Sequence, residues 1–285
     1  MWLEGHDQRR EATPAAKWGR QKNDTFRIIR IDMLTNNTTA IITGGASGLG
    51  AATARLFIEK GIKVAIIDTN LYKAELFAEE IGAKAYCCDV SSENEVNATL
   101  KKIIVDLGIP RILVNCAGIA TPAKIVGKQG VMPLDFFQHI INVNLFGTFN
   151  MLRLCAEKMM TLDLLEDDQR GVIISTASIA AFEGQIGQSA YAASKGAIVS
   201  LTLPAAREFA AFGIRVNSIA PGVFMTPLVA NLPKEVQENL ALSIPNPKRL
   251  GMPEEFAKLV LHIVENNYIN GETIRLDGAL RMQSK

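Results

Sequence analysis

The sequence has little that would indicate a metal site, a disulfide framework or a membrane span. It contains four cysteines, and none of their spacings is that of a zinc site or a small disulfide scaffold. We therefore expect reduced thiols and a reducing compartment. The three histidines fit neither a catalytic triad nor a metal-ligand spacing, so we predict no metal. No run of about 18 apolar residues is present, and we expect no membrane-spanning helix.

The sequence also has no large excess of either basic or acidic residues. The 30 basic and 29 acidic side chains leave a formal net charge of +1. A nucleic-acid-binding domain usually carries a clustered basic surplus, so we expect small-molecule partners and no nucleic acid. No Pro/Gly/Ser-rich linker divides the chain, which predicts one domain over residues 37–285.

Residues 1–36 differ from the rest in being polar, charged and without sustained periodicity, and we predict a mobile N-terminal extension. An upstream start, with Met33 as the true first residue, is the other interpretation. The segment lacks the apolar core of a secretory signal, and its acidic residues argue against a mitochondrial presequence. We expect a cytoplasmic protein, or a mitochondrial matrix protein if the source is eukaryotic.

From residue 39 onward, apolar runs alternate with stretches of helical periodicity. Mostly apolar strands that alternate with helices predict an α/β fold, a doubly wound parallel sheet of Rossmann type with about seven strands. The predicted strands are 39–43, 63–68, 84–90, 111–118, 171–178, 214–222 and 271–278. The predicted helices are 48–61, 72–82, 93–108, 134–160, 189–213 and 254–266.

A glycine-rich turn follows the first strand and leads directly into a helix. Gly44, Gly48 and Gly50 would allow a tight turn and close approach of the backbone to a pyrophosphate. The helix N-terminus, where Ser47 and Leu49 lie, would offer free N–H groups to the phosphates. Such turns also occur as simple connections, so the context on both sides carries the prediction.

Asp68 ends the second strand, where a carboxylate can accept hydrogen bonds from the adenosine ribose hydroxyls. The same charge would repel a 2′-phosphate, and no arginine follows it. The cofactor we predict is therefore NAD rather than NADP. A strand-end turn residue is the alternative interpretation of Asp68.

The glycine spacing, Gly44-x-x-x-Gly48-x-Gly50, resembles that of the short-chain dehydrogenase/reductase family, and the similarity runs from about residue 37 to the end. Three further motifs follow in the family's order: "NCAG" at 115–118, "NVNLFG" at 142–147 and "PG" at 221–222. The resemblance implies cofactor contacts by Asp89, Val90, Asn115, Cys116, Phe224 and Thr226. It also implies that Asn144 is a catalytic asparagine that steadies a lysine through water.

The resemblance names Ser178, Tyr191 and Lys195 as the remaining catalytic residues. Tyr191 and Lys195 stand four residues apart, so they project from one helix face. An ammonium beside a phenol favours the phenolate, and we expect a lowered pKa for Tyr191. That group would take a proton from an alcohol as hydride leaves, while Ser178 would hold the substrate oxygen. On their own, a tyrosine and a lysine at this spacing are common on solvated helices.

Within the family, residues 171–199 and 271–283 resemble the type-2 3-hydroxyacyl-CoA dehydrogenases. This implies NAD-dependent, reversible oxidation of a short or branched (S)-3-hydroxyacyl-CoA to the 3-oxoacyl-CoA, by a homotetramer. In the loop 117–137, Lys124 and Lys128 would either meet the CoA phosphates or be simply exposed. The alternatives are a hydroxysteroid dehydrogenase, a 3-oxoacyl-carrier-protein reductase, and a scaffold protein that binds NAD without turnover.

Overall fold

The predicted strands form a seven-stranded parallel sheet in a computed structural model that describes Met33, residues 37–128 and residues 130–284. The strands are short, apolar and rich in β-branched residues, as expected of strands buried on both faces. They are β1 (Thr39–Thr43), β2 (Lys63–Asp68), β3 (Lys84–Cys87), β4 (Pro110–Asn115), β7 (Gly171–Thr176), β8 (Ile214–Pro221) and β9 (Thr273–Leu276). A separate two-stranded hairpin contains β5 (Val126–Gly127) and β6 (Gly130–Val131).

Helices connect successive strands, and local signals set several of their ends. Asn70 and Ser92 cap two helices by accepting from the backbone N–H groups of Lys73 and Glu95. Gly82 ends one of them in the left-handed conformation. The helices are α1 (Gly48–Glu59), α2 (Leu71–Ile81), α3 (Glu93–Leu107), α4 (Leu134–Ile141), α5 (Gly147–Met159), α6 (Ala180–Glu183), α7 (Ser189–Ala210), α8 (Pro227–Ala230), α9 (Lys234–Leu242) and α10 (Pro253–Glu265).

The sheet is covered on both faces, which confirms the predicted fold class. Neighbouring residues of β1 point to opposite sides. Ile42 packs in the cluster that includes Phe57 of α1 and Phe256 of α10, and Ile41 packs in the cluster that includes Met151 of α5. All five side chains are fully buried, and each contributes on the order of 1.5–3 kcal/mol to folding.

The strand order, β3-β2-β1-β4-β7-β8-β9, has a switch point between β1 and β4. From β1 the chain winds first towards β3 and then, from β4 onward, in the opposite direction. The connections that leave these two strands therefore diverge, and a crevice opens at their carboxyl ends. This is the position at which Thr43 meets Asn115 in the β1–β4 register.

Several boundaries differ from the predictions. The stretch 134–160 is not one α-helix, because a five-residue π-helical segment (Asn142–Phe146) separates α4 from α5. The strands β3, β4 and β7 end earlier than predicted, which leaves their last predicted residues in loops. The hairpin, α6, α8 and α9 were not predicted; most of them are too short to show a period.

The described residues all fall within one compact unit that spans 31–285. The predicted extension lies outside the described residues, except that Met33 is buried in the core. In the described part of the chain, no helix has the length and apolar character needed to cross a membrane.

Candidate active site

A cleft of about 810 Å³ opens at the carboxyl ends of the strands, at the switch point. Its walls come from the loops that follow β1, β2, β3, β4, β7 and β8. The structure brings most of the predicted site residues to these walls. They are Gly44, Ser47, Gly48, Leu49, Gly50, Asp68, Asp89, Val90, Cys116, Ser178, Tyr191, Lys195, Phe224 and Thr226.

The glycine-rich turn needs its glycines. Gly44 and Gly48 have φ of +60° and +55°, in the left-handed region that side chains disfavour. A Cβ on Gly44 would lie 2.8 Å from the backbone nitrogen of Ala117, and one on Gly50 would lie 2.5 Å from the carbonyl oxygen of Gly44. Ser47 makes no side-chain cap bond at the start of α1. The first N–H groups of α1 have no intrahelical partner, so this end of the cleft can bind an anion.

Asp68 lies at the end of β2 and joins the glycine-rich turn to the next loop. Its carboxylate accepts from the backbone N–H of Ala46 at 3.3 Å and from that of Asn70 at 3.1 Å. The carboxylate is still partly exposed at the wall of the cleft, where it retains capacity to accept further hydrogen bonds.

The next loop supplies Asp89 and Val90. Asp89 accepts from the N–H and the hydroxyl of Ser91, at 2.9 and 2.7 Å. Val90 is 5% exposed and packs so closely on Gly147 that a Cβ on the glycine would lie 2.5 Å from its Cγ2 atom. These contacts fix the backbone of this loop where it lines the cleft.

Ser178, Tyr191 and Lys195 converge from two elements. Ser178 follows β7, is 7% exposed, and accepts from the N–H of Ala180 at 3.1 Å. Tyr191 and Lys195 lie in the first two turns of α7, on its cleft-facing side. The Lys195 ammonium donates to the carbonyl oxygen of Thr176 at 2.6 Å and lies 5.8 Å from the centroid of the Tyr191 ring. The three predicted groups therefore do meet in one place.

The electrostatics differ from the prediction. Burial lowers the pKa of Lys195 to about 8, and the nearby Cys116 acts in the raising direction without overcoming it. Burial also raises the pKa of Tyr191, and a hydrogen bond with Ser178 acts in the lowering direction without overcoming it. The expected lowering of the Tyr191 pKa is thus wrong for the protein alone, because removing the phenol from water outweighs the hydrogen bond with Ser178.

Cys116 packs against the base of this group. Its sulfur accepts from the hydroxyl of Thr176 at 3.5 Å, and burial raises its pKa to about 11 although Thr176 and Lys195 act in the opposite direction. A thiol with so high a pKa is a poor nucleophile. Cys116 is thus a wall of the cleft rather than a reactive residue.

Asn144 and Asn115 do not line the cleft. Asn144 is fully buried in the π-helical segment, where its amide bonds both backbone groups of Ile119 and donates to the hydroxyl of Ser194 at 3.0 Å. It makes no direct bond to Lys195, and Gly118 lies next to both side chains. The side chain of Asn115 is buried in the sheet and donates to Ser175 at 3.3 Å, and cofactor contact by Asn115 stays a prediction.

The walls of the cleft also contain residues that sequence reasoning missed. Gln185 and Gln188 line it from the α6–α7 loop, His139 and Val143 from α4 and the π-helical segment, and Met282 from the end of the chain. No local pattern marked these positions, because they reach the cleft only through the tertiary fold. Lys124 and Lys128 are exposed and lie outside the cleft walls.

Comparisons with known proteins agree with this geometry. The family model described as short chain dehydrogenase matches residues 38–237. The chain is 50% identical to the 3-hydroxyacyl-CoA dehydrogenase type-2 of Bos taurus, over 86% of this chain and 95% of that protein. It is 48% identical to the protein of the same name from Drosophila melanogaster, over 87% and 99%. The crystal structure of 3-hydroxyacyl-CoA dehydrogenase type-2 from Mycobacterium avium superposes with a TM-score of 0.84 at 40% identity, over 88% and 99%.

Proposed function

The chain belongs to the short-chain dehydrogenase family, and from that premise we propose that it oxidises short or branched (S)-3-hydroxyacyl-CoA to 3-oxoacyl-CoA, reversibly, with NAD. It is an oxidoreductase by family membership, and the relatives named above support the acyl-CoA substrate class. The observation that carries the reaction type is the convergence of Ser178, Tyr191 and Lys195 at the carboxyl end of β7, beside a glycine-rich turn.

The residues of the cleft fit a dinucleotide. The turn leaves no room for a side chain at Gly44 or Gly50, so its backbone can approach a pyrophosphate closely. The start of α1 provides N–H groups for the phosphates, and Asp68 provides a carboxylate for ribose hydroxyls. When bound, the oxidised nicotinamide would accept the hydride and place a positive charge near Tyr191. NAD is favoured over NADP because the Asp68 charge would repel a 2′-phosphate.

In the proposed mechanism, Ser178 donates a hydrogen bond to the substrate oxygen and holds it beside the phenol of Tyr191. Tyr191 then takes the proton of the 3-hydroxyl during oxidation and returns it to the carbonyl oxygen during reduction. The positive charges near the phenol must offset the burial that raises its pKa. Lys195 supplies one of these charges and is positioned by its bond to the Thr176 carbonyl.

Asn144 is a positioning residue in this scheme. Its bonds to Ile119 join the loop after β4 to the π-helical segment, and its bond to Ser194 joins that segment to α7. The asparagine therefore fixes the helix that carries Tyr191 and Lys195. π-Helical segments are often found at functional sites.

We also propose that the protein is a homotetramer of the cytoplasm, or of the mitochondrial matrix in a eukaryote. Phe146 and Phe149 are 54% and 45% exposed near the start of α5, and a second copy of the chain would cover such aromatic surface. Sedimentation equilibrium would give the mass of a tetramer; a monomer mass would contradict the proposal.

A substrate panel tests the function. Purified protein is mixed with NAD and, separately, with short and branched (S)-3-hydroxyacyl-CoA esters and a hydroxysteroid, and NADH absorbance is followed. We expect the highest kcat/KM with an acyl-CoA. Preference for the steroid, or for a 3-oxoacyl carrier protein with NADPH, would favour one of the alternatives. NAD binding without turnover of any substrate would favour a scaffold role.

A further inference from the structure

The end of the chain forms part of the catalytic cleft. After β9, the C-terminal tail (residues 277–284) turns back, as the N–H of Leu280 donates to the carbonyl oxygen of Asp277 at 3.0 Å. Leu280 is 4% exposed and packs with Ile179 and Ile244, while Met282 packs against the same cluster and also lines the cleft. A residue near the last position of the chain is thus a wall of the active site.

A network of charges holds the tail in this position. The Arg275 guanidinium donates to both carboxylate oxygens of Glu183, at 2.8 and 3.2 Å, and to Asp277 at 2.7 Å. Glu183 also accepts from the backbone N–H of Met282 at 3.1 Å. The side chains of Arg275, Glu183 and Asp277 are 23%, 20% and 8% exposed, so bulk solvent screens this network less than a surface pair. One carboxylate therefore links β9, α6 and the tail.

The tail also bonds to the loop that precedes Tyr191. The N–H of Ile186 donates to the carbonyl oxygen of Ser284 at 3.0 Å, and the side-chain amide of Gln185 donates to the backbone carbonyl oxygen of Gln283 at 3.1 Å. The tail therefore forms a continuous wall with the α6–α7 loop.

The wall is apolar where Met282 stands. Ile179 follows the predicted substrate-binding Ser178, and Val223 and Val229 line the cleft nearby and pack in the same cluster as Met282. A substrate oxygen held between Ser178 and Tyr191 would direct the rest of the molecule along this surface. An acyl chain suits an apolar surface of this kind better than a polar ligand does.

We propose that Met282 limits the length of the acyl chain and that the Glu183–Arg275 pair positions it for this role. The inference rests on the proposed function, since it assigns a specificity residue to the acyl-CoA reaction. Methionine is flexible enough to follow an irregular ligand surface, yet it still occupies the volume that a longer chain needs.

The experiment measures kcat/KM for (S)-3-hydroxyacyl-CoA esters of increasing chain length, for the unaltered protein and for Met282→Ala, Met282→Leu and Met282→Trp. One methylene in an apolar pocket changes kcat/KM by about 10–200-fold. We therefore expect Met282→Ala to raise the ratio of long-chain to short-chain kcat/KM by about tenfold or more. Met282→Trp should lower that ratio, and Met282→Leu should leave it near the original value because the volume is similar.

Glu183→Gln tests the positioning role, and Met160→Ala is the control. Glu183→Gln should shift the ratio in the same direction as Met282→Ala, through KM for the long chains; an equal loss of kcat at all lengths would mean a structural role only. Met160→Ala, at a position outside the cleft walls, should change neither the ratio nor the activity.

The two proposals fail in different ways. If the unaltered protein oxidises the series but Met282→Ala and Met282→Trp leave its length profile unchanged, the inference about the tail is wrong and the proposed function stands. If the unaltered protein oxidises no 3-hydroxyacyl-CoA, the proposed function is wrong, and the inference fails with it.

Discussion

Lys195 should reduce the stability of the protein in the absence of cofactor. The residue is 4% exposed, and burial lowers its pKa from 10.5 to about 8. At about 1.4 kcal/mol for each tenfold change in the equilibrium constant, this corresponds to about 3 kcal/mol of destabilisation of the folded state when the lysine is protonated. Replacing it with methionine removes that cost and also removes the bond to the Thr176 carbonyl, worth about 1–2 kcal/mol.

The direction in which stability changes with pH follows from the number of protons that each state binds. Between about pH 8 and 10.5 the unfolded chain holds a proton that the folded Lys195 has lost, so the stability of the unaltered protein rises with pH in this range. Below pH 8 both states are protonated and the cost is complete. We therefore expect Lys195→Met to be more stable than the unaltered protein by about 1–2 kcal/mol at pH 7. The difference should shrink as pH rises above 8.

Urea unfolding without cofactor, followed by circular dichroism from pH 7 to about 9.5, gives both free energies of unfolding. The control is Lys60→Met at an exposed position, which should change stability by no more than about 0.5 kcal/mol. A Lys195→Met protein that is less stable at pH 7, or a difference that does not depend on pH, would refute the reasoning. Turnover should be lost in the same variant, because the charge near Tyr191 is gone.

Three further substitutions test other parts of the site. Tyr191→Phe should lower kcat by about 10²–10⁴-fold with NAD affinity retained, whereas Tyr72→Phe, 74% exposed, should be unaffected in the same assay. Asp68→Ala should raise the NADP-to-NAD ratio of kcat/KM by about tenfold, since one repelling charge is removed; an unaltered protein that already prefers NADP would contradict the role of Asp68. Gly147→Ala should lower the free energy of unfolding by about 1–3 kcal/mol, because its Cβ would lie 2.5 Å from Cγ2 of Val90. An unchanged free energy in urea unfolding would show that the loop containing Val90 can move aside at little cost.

Local sequence patterns predicted the parts of the fold and site that depend on local structure. The bounds of β1 and β2 agree with the predictions, because short apolar runs with β-branched residues, bounded by polar residues or glycine, leave few alternatives. The glycine-rich turn was also predicted, since the spacing of its glycines and its position between a strand and a helix are both visible in the sequence.

The features that local sequence patterns did not predict depend on tertiary packing. The π-helical segment interrupts a stretch whose apolar spacing is typical of one long helix, and Asn144 is positioned by bonds to residues 25 and 50 positions away. The direction of the Tyr191 pKa was mispredicted for a related reason. The spacing to Lys195 is local, but the burial that dominates the pKa is a property of the whole cleft.

Different parts of the structure position the reacting groups and the residue proposed to select the acyl chain. The reacting groups are fixed by the sheet and its first helix turns: Ser178 follows β7, and Lys195 is bonded to the last carbonyl of that strand. Met282 instead depends on a tail held by one carboxylate, Glu183, and by a few backbone bonds. Because the tail carries none of the three reacting groups, substitutions in it should change which acyl chain fits and leave the direction of the pH dependence of turnover as it is. Substitutions at Lys195 should change the pH dependence of turnover and leave the acyl-chain preference as it is.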